Sequence, residues 1–455
     1  MPAVPHDLAQ WIDEILGADA IEIDRAAAAL LRVCRDHAAA LREARSAGVD
    51  RALAEAGATL AGWIGDHVAG EWLWPEAFAV AVVGVWRVAH AELGGVAARV
   101  AAARAIAEAL DDAVGHRYAA LFRKRRRWQI DPGEPFPVVQ PDLRRLFAGA
   151  LITLPDRRET PIDRTRRLAL APAVNDGVGL ALDLAGEVMA APPAPGAELA
   201  AALPIASPSR QLRWHQRLDP RPAFGDVQPV APGELATEVE RLAADAAARG
   251  VAVLVFPELS VDDHALGRLR GALAAAASRP LLVVAGSRHA EVDGVRRNVA
   301  TLLAPYAEAT HAKFNPFFAG ELVEDVAIAP AEVRAHATCD AWGRLGFSVV
   351  VLVCKDFLAP GAQHALEALR ASLVVVPAWS EKTAVFESDA RGLSGKTQSI
   401  VVVVNQAEPR DGGGGGDGDD DPVVLLVARP TLQVPTIVRR SEVAPPCLVT
   451  AKFAE

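Results

Sequence analysis

Cysteine is rare in this 455-residue chain, and its four cysteines are far apart, with no C-x-x-C pair. A disulfide framework would need more of them and a zinc knuckle would need closely spaced pairs, so both classes are excluded. We therefore expect a reducing compartment. The histidines also lack the spacing of metal ligands, so we expect no metal and interpret them as surface or pocket-wall residues: His264, His289, His311 and His364.

Positive charge and long apolar runs are also in short supply. The formal net charge of −10 argues against general nucleic-acid affinity. The apolar run at 77–86 is too short to span a bilayer, and the first residues lack the basic and apolar segments of a signal peptide. The sequence therefore predicts a cytoplasmic protein with no membrane contact and no cofactor. A G-x-S-x-G motif is missing, which excludes the serine hydrolases that use it.

The composition of the chain changes along its length. Residues 1–190 are predicted to be a mainly helical domain, because apolar residues recur at three- and four-residue spacing, above all in the first part. Residues 191–209 are rich in Pro, Ala and Ser and are predicted to be a linker. Residues 210–455 alternate β-branched runs with helical segments, which predicts an α/β domain. The acidic glycine tract at 411–422 is predicted to be a mobile insertion in that domain.

Three predicted strands of the C-terminal part end in reactive side chains. VAVLVFPE ends at Glu258, AEATHAKF contains Lys313, and FSVVVLVCKD contains Cys354. Ligands of open α/β sheets bind beyond the carboxyl ends of the strands, so these side chains can converge although they are far apart in sequence. A carboxylate can take a thiol proton, an ammonium can stabilise an oxyanion, and a thiolate can attack a carbonyl carbon. The pattern therefore predicts a nucleophilic site.

Each of these residues also has a simpler interpretation. A single Cys after an apolar run is more often a small buried hydrophobic residue, Glu258 alone could cap a helix, and Lys313 alone could be a solvated hairpin residue. The prediction of a site rests on all three residues following strands in this order.

The same motifs resemble those of the nitrilase, or carbon–nitrogen hydrolase, superfamily. Phe-Pro-Glu-Leu after a buried strand, a lysine after a hairpin, G-R-L-G-F before C-x-D, and P-A-W occur here in that family's order, over roughly 207–455. The resemblance implies an α/β fold, a nitrilase-like α-β-β-α sandwich, here preceded by an all-α N-terminal domain. It also implies a homodimer, with Glu258 as general base, Lys313 as oxyanion stabiliser and Cys354 as nucleophile.

The sequence departs from the family pattern in three places. Lys355 follows the cysteine where an aromatic residue is usual, and a second cation there is expected to lower the pKa of Cys354. A second glutamate is common between the lysine and the cysteine; Glu321 is the nearest match and Glu324 is the alternative. The family's G-x-S segment is replaced by the acidic glycine tract. The residues that the pattern places beside the nucleophile are pocket candidates: Lys355, Asp356 and Trp379.

Two other motifs suggest different functions. ARGLSGKT at 390–397 matches a permissive phosphate-binding loop, but a helical segment precedes it and a strand follows, the reverse of the order such a loop needs, so it is interpreted as a helix end. The basic region 117–167 includes RKRRRW, in which Trp128 could stack on a base while the cations contact phosphates. The alternative is a solvated helix C-terminus. A protein or nucleic-acid partner is thus the second interpretation of this region.

Two functions are consistent with these observations. The first is a thiol-dependent amidase-type hydrolase that cleaves a non-peptide carbon–nitrogen bond of a small amide or nitrile through a cysteine thioester. The second is a nitrilase-like domain retained as a non-catalytic binding module, with the helical domain recruiting a partner. The set Glu258, Lys313 and Cys354 favours catalysis, because a binding module does not need all three.

Overall fold

The fold is taken from a computed structural model, which describes residues 4–17, 19, 21–40, 49–67, 72–122, 127–138, 168–171, 177–183, 193, 196–217, 222–305, 307–319, 322–339, 345–408, 421–430 and 434–453. The acidic tract 411–422 and the basic region 117–167 fall largely outside these residues. No helix within the described ranges has both the length and the apolar character needed to cross a membrane.

Five helices make up the first part of the described chain, and six more occur in the second part. In chain order they are α1 (His6–Leu16), α2 (Ile23–Asp36), α3 (Asp50–His67), α4 (Pro75–Glu92), α5 (Gly95–Phe122), α6 (Pro208–Gln211), α7 (Pro232–Ala248), α8 (Asp263–Ala275), α9 (Lys355–Leu358), α10 (Pro360–Leu369) and α11 (Ala384–Thr397).

The strands are short, and most of them lie in the second part of the chain. In chain order they are β1 (Ile21–Glu22), β2 (Trp72–Leu73), β3 (Arg127–Ile130), β4 (Pro135–Pro137), β5 (Leu168–Leu170), β6 (Gly179–Asp183), β7 (Glu198–Leu203), β8 (Leu212–Arg217), β9 (Ala223–Pro229), β10 (Val253–Phe256), β11 (Leu282–Val292), β12 (Val295–Leu303), β13 (Glu308–Ala312), β14 (Phe318–Ala319), β15 (Leu322–Glu324), β16 (Glu332–Cys339), β17 (Leu345–Val351), β18 (Leu373–Ala378), β19 (Ile400–Asn405), β20 (Val423–Ala428), β21 (Thr436–Arg439) and β22 (Cys447–Lys452).

Two large mixed sheets form the centre of the molecule. The first has the strand order β13-β12-β11-β10-β7-β22, and the second has the order β21-β20-β19-β18-β17-β16-β6-β3. A smaller sheet, β14-β15-β9-β8, lies beside the first through contacts between β9 and β11. The strands β10 and β11 run parallel, as do β17, β18 and β19, so the carboxyl ends of these strands lie on common edges.

The alternation of side chains along β10 shows how the layers are arranged. Val253 and Val255 belong to the apolar cluster that includes the strands of the second sheet, whereas Leu254 and Phe256 belong to a second cluster with α7 and α8. Successive side chains of a strand point to opposite faces, so helices cover one face of this sheet and the second sheet covers the other. On the second sheet, α10 and α11 contact β16, β19 and β20. This mixed α/β arrangement is compatible with the α-β-β-α order expected from the resemblance.

The N-terminal helices pack around α5. Helices α2, α3 and α4 all contact it, and its buried face consists largely of alanine, which allows helix axes to approach closely. The helical prediction therefore holds as far as α5. It does not extend to residue 190, because β3 and β6 join the second sheet, where β6 pairs with β16 in parallel.

The segment 191–209, predicted to be a linker, contains the strand β7. This strand lies between β10 and β22 in the first sheet, and its residues from Leu199 to Leu203 are buried. The prediction was wrong at these positions because Ala was counted with Pro and Ser as linker-like. In a central strand, Ala fits where helices and the facing sheet pack closely on both sides.

Candidate active site

Glu258 lies two residues beyond the end of β10, and its side chain is buried. The loop that carries it is held by local hydrogen bonds: the Ser260 hydroxyl donates to the Pro257 carbonyl oxygen at 2.7 Å, and the Leu259 N–H donates to Ser287 Oγ at 3.2 Å. Gly286 on β11 has φ of +54°, and a Cβ there would collide with the Pro257 carbonyl oxygen. The glycine therefore allows the loop to approach β11, which fixes the position of Glu258.

Cys354 lies where the backbone leaves β17 and enters the short helix α9. Its φ of +50° and ψ of −110° are uncommon for a residue with a side chain. Its N–H donates to the Pro377 carbonyl at 2.9 Å, which extends the parallel pairing with β18 to the cysteine itself. Strained backbone held by surrounding structure is concentrated at functional sites, and here it places a buried thiol at a strand end.

Lys313 follows β13 directly, and Asp356 fixes the loop after it. The buried carboxylate of Asp356 accepts hydrogen bonds from the N–H of Asn315 at 2.8 Å and of Phe314 at 3.2 Å, and a contact of 2.9 Å joins it to His311 Nε2. Because Asp356 lies two residues after Cys354, these bonds tie the lysine loop to the cysteine turn. Burial raises the pKa of Asp356, while His311 and Lys313 oppose that rise.

Glu324 belongs to the small sheet and is the fourth ionisable residue of the cluster. It ends β15 and is paired in register with Phe224 of β9, so its position depends on that sheet. His289 Nδ1 accepts a hydrogen bond from the Val227 N–H at 3.2 Å, so Nε2 carries the hydrogen that it donates to Glu324 at 3.0 Å. The Phe317 N–H also donates to the Glu324 carboxylate, at 2.9 Å.

The Lys313 ammonium joins the two glutamates. It donates to Glu258 Oε1 and to Glu324 Oε2, each at 2.7 Å, and the side chains of all three residues are at most 4% exposed. Asn298 Nδ2 bridges the same carboxylates, at 3.1 Å to Glu258 and 2.8 Å to Glu324. The second oxygen of Glu258 accepts from the Trp379 N–H at 3.1 Å. The three ionisable groups are thus rigidly oriented by hydrogen bonds.

The two glutamates differ in their proton affinity. Burial, together with the negative charge of Glu324, raises the pKa of Glu258 in spite of Lys313. Burial also disfavours charge on Glu324, but the Lys313 ammonium and the hydrogen bond from His289 outweigh it and hold the pKa of Glu324 well below its usual range. Glu324 therefore stays ionised beside Lys313, and Glu258 is the member of the pair that can accept and release a proton.

The environment of Cys354 favours the thiol over the thiolate. Burial raises its pKa far above the usual range, and the neighbouring Glu258 carboxylate raises it further, whereas Lys313 only partly opposes this. Lys355 and Cys354 attract each other, as the sequence predicts, but burial and Glu258 outweigh that attraction, so the net pKa of Cys354 rises. Glu258 and Cys354 are close enough to interact by a hydrogen bond, so the thiol can lose its proton directly to that carboxylate.

A cavity of about 630 Å³ opens onto Cys354, Glu258, Lys313 and Glu324. This is within the usual size range of small-molecule sites. Its other walls are largely apolar or aromatic, with charged side chains at the rim; the residues concerned are Trp214, Phe224, Leu259, Phe317, Phe318, Lys355, Leu358, Trp379, Ser380, Glu381, Lys382, Val385 and Phe386.

The structure brings the residues predicted from strand ends into one cluster. Lys355 and Trp379 also line the cavity, but Asp356 is buried behind it and acts on the lysine loop. Glu321 lies outside the described residues, and the alternative, Glu324, contacts Lys313. The phosphate-loop match at 390–397 falls inside α11, in agreement with its interpretation as part of a helix.

Several polar residues of the site were missed by the sequence reasoning. Asn298 and Asn405 belonged to no motif, and His289 was expected only as a wall or surface residue. Asn405 Oδ1 accepts from the Ser380 N–H at 2.8 Å, and its Nδ2 donates to the Ser380 carbonyl at 2.8 Å, which holds the turn after Trp379. The available signal was a polar side chain inside or at the end of a strongly apolar strand.

Comparisons with known proteins give similarities to nitrilase-superfamily amidases. The chain is similar to an amidase from Nesterenkonia sp., with 21% identity, 56% of this chain and 90% of that chain covered, and a TM-score of 0.39. It is also similar to a mutant of the Nesterenkonia AN1 amidase from the nitrilase superfamily, with 20% identity, 56% of this chain and 90% of that chain covered, and a TM-score of 0.39. A third similar structure is a glutamate-to-leucine mutant of the amidase from Nesterenkonia sp. AN1, in which the acetamide moiety of fluoroacetamide is added covalently at the active-site cysteine. Its identity is 20%, the match covers 56% of this chain and 90% of that chain, and the TM-score is 0.40.

No family model matches the chain, and no curated protein matches it. Within the described part of the chain, no group of three or more His, Cys, Asp or Glu side chains has the arrangement of a metal site.

Proposed function

We propose that this protein is a thiol-dependent hydrolase of small amides or nitriles, with Cys354 as nucleophile. The observation that carries the proposal is the joint position of Cys354, Glu258 and the Lys313–Glu324 pair on one cavity. A thiol can act as nucleophile, a carboxylate of raised pKa as proton acceptor and a charged ammonium as oxyanion stabiliser, which together suffice for acyl transfer through a thioester. Their separate hydrogen-bond partners keep them oriented before a substrate binds.

The first half of the reaction forms the thioester. Glu258 removes the Cys354 proton while the sulfur attacks the carbonyl carbon of an amide, and the carbonyl oxygen becomes an oxyanion. The Lys313 ammonium stabilises that oxyanion. The N–H of Lys355 donates no hydrogen bond among the described residues, so it is available as a second donor. Protonated Glu258 then gives its proton to the departing nitrogen, the carbon–nitrogen bond breaks, and ammonia or an amine leaves.

The second half hydrolyses the thioester with the same residues. Glu258, again a carboxylate, takes a proton from water as the water oxygen attacks the thioester carbonyl. The carbon–sulfur bond breaks, the acid is released, and the proton returns to the Cys354 sulfur. Glu324 keeps Lys313 protonated throughout, because its own pKa is held far below that of Glu258.

The test is trapping of the acyl-enzyme. A panel of primary amides and nitriles is incubated with the protein, and intact mass together with peptide mapping locates any adduct. We expect adducts on Cys354 and release of ammonia, and we expect neither with Cys354→Ala. If no compound acylates Cys354 while a cellular role survives Cys354→Ala, Glu258→Gln and Lys313→Met, the binding-module interpretation replaces this one.

A matched pair of variants tests which glutamate supports Lys313. Glu324→Gln removes the negative charge of one of the two carboxylates that contact the Lys313 ammonium, and it should lower kcat by about 10- to 1,000-fold. Glu321→Gln is the comparison variant, and it should leave kcat within about twofold if Glu324 is the glutamate that supports Lys313. The opposite order would assign the role to Glu321.

We propose further that the protein is a cytoplasmic homodimer and that residues 117–167 contact an acidic partner. Sedimentation equilibrium tests the first point. Binding of labelled RNA and of acidic peptides, with and without these residues' arginines, tests the second.

A further inference from the structure

Two lysines line the cavity next to the reactive cluster. Lys355 directly follows Cys354 and is partly buried, and Lys382 lies at the rim just before α11. Lys382 and Lys313 both repel the Lys355 ammonium, whereas Glu324 and Cys354 attract it. Within the described ranges neither side chain forms an ion pair with a carboxylate. Two like charges on one small cavity are unfavourable unless an anion compensates them.

Lys355 is held toward the cavity by two aromatic rings. Its Nζ lies 5.1 Å from the ring centroid of Phe317 and 5.1 Å from that of Phe318, and among the described residues its one hydrogen-bond acceptor is the Phe318 carbonyl at 3.5 Å. An ammonium has three hydrogens to donate, so most of its donor capacity is open. Burial lowers the pKa of Lys355, a cost that a bound anion would offset.

The rest of the wall suits a flat apolar group. Trp214 and Trp379 pack edge to face with centroids 6.3 Å apart, and Phe224, Leu358 and Phe386 complete this side. Such side chains bind aromatic rings through burial and ring–ring contacts. Glu381 also lies at the rim, beside Lys382, and has an interaction of its own. The principal anion contact is therefore assigned to Lys355, which is farther from that carboxylate in sequence and deeper in the cavity.

We propose that the cavity selects amides that carry a carboxylate on an aromatic or similarly flat apolar body, with Lys355 as the main carboxylate contact and Lys382 as a supporting one. The proposal rests on the proposed function of the same site, because it names the class of substrate that Cys354 would attack. It adds a specificity-determining role for a residue that sequence comparison singled out only as an unusual neighbour of the cysteine.

The experiment compares two ligands of similar shape and different charge. Cys354→Ala protein is titrated by calorimetry with 4-carbamoylbenzoate and with 4-methylbenzamide, and then with the corresponding 3-substituted pair. We expect the carboxylate ligand to bind at least about 10-fold more tightly, as for a charge-assisted hydrogen bond in a partly buried site. Adding Lys355→Met should reduce this preference about 10- to 100-fold, whereas Lys355→Arg should keep most of it.

Lys452→Met is the matched control, because Lys452 is an exposed lysine on β22 outside the cavity, and it should leave the preference unchanged. The inference is overturned if the two ligands bind equally tightly, or if the preference for the carboxylate ligand is unchanged in Lys355→Met. If the preference depends on Lys355 but wild-type protein neither forms a thioester nor releases ammonia from 4-carbamoylbenzoate, the anion site stands and the proposed function fails. If wild-type protein hydrolyses 4-methylbenzamide equally well, the function stands and the inference fails.

Discussion

The N-terminal helices and the cavity each contain a buried cation between two carboxylates, with a cysteine close to it. In the helices, Arg104 contacts Asp50 at 2.9 Å and Glu108 at 3.3 Å, and the charges of Arg104 and Glu108 act on Cys34. The cation is as buried as Lys313, and burial raises the pKa of Cys34 to about 12. By the kinds of group alone, this cluster resembles the one at Cys354.

Three features separate the two clusters. Cys34 lies inside a regular helix, whereas Cys354 has a strained backbone at a strand end. None of the four residues of the helical cluster lines the cavity. Finally, Cys354 interacts directly with a carboxylate of raised pKa, whereas the hydrogen-bond acceptor of Cys34 is the Val100 carbonyl. Buried charges next to a thiol can therefore serve the fold alone. A cluster becomes a candidate active site when its thiol also faces a cavity and has a proton acceptor beside it.

The largest expected difference between the clusters is in the two cysteines. Cys354→Ala should lower the turnover of any amide substrate by at least about 10⁴-fold, because the covalent path is lost. Cys34→Ala should leave kcat within about twofold and lower the free energy of unfolding by about 1 kcal/mol, through a small cavity in the helical core. Ammonia release and denaturant unfolding measure the two effects. A loss of turnover in Cys34→Ala that is not explained by unfolding would contradict this distinction.

The two cations should separate activity from stability. Lys313→Met should lower kcat by about 10²- to 10³-fold, because the oxyanion loses its ammonium. Arg104→Met should leave kcat nearly unchanged in folded protein, but it should lower the free energy of unfolding by about 1–3 kcal/mol, because two partly exposed carboxylates lose their ion pair with Arg104. Urea denaturation and steady-state kinetics on the same samples test the pair. Full activity in folded Lys313→Met would argue against the oxyanion role.

The pH dependence of kcat/KM should be determined by the cluster at Cys354 and not by the cluster at Cys34. Glu258 acts as a base only when ionised and its pKa is raised, so kcat/KM should rise with pH to a midpoint above the usual glutamate value of about 4.3. Glu324→Gln removes a negative neighbour of Glu258, so the midpoint should move to lower pH. The control Glu108→Gln should leave the profile unchanged. A midpoint that stays fixed in Glu324→Gln would show that another group controls it.

The smallest expected effect is in thiol labelling. Native protein treated with iodoacetamide near pH 7 should be modified slowly at Cys354, which has access to the cavity but is mainly a protonated thiol, and not measurably at Cys34. The rate at Cys354 should increase with pH. Peptide mapping before and after denaturation distinguishes accessibility from reactivity. Equal native labelling of both cysteines would remove the difference in access on which the comparison depends.

Much of the C-terminal fold could be predicted, because its signals are local. The runs VAVLVFPE and FSVVVLVCKD predicted the strands β10 and β17, and the alternation of β-branched runs with helical segments predicted an α/β domain. The strand β7 was missed because its alanines carry no strong strand preference, and it becomes a strand only between two partners. The strands β3 and β6 were missed for a related reason: they are short and are stabilised by pairing with a sheet formed much later in the chain.

The sequence by itself determined the identity and order of Glu258, Lys313 and Cys354, because a strand that ends in an ionisable residue is a local pattern. Only the tertiary structure decided what these residues can do. The raised pKa of Glu258, the permanent charge of Glu324 and the protonated state of Cys354 arise from burial and from distant neighbours such as Lys313, which is 11 positions from Glu324 and 55 from Glu258. Electrostatic free energies depend on distance in space and on exclusion of water, and neither is written in the local sequence.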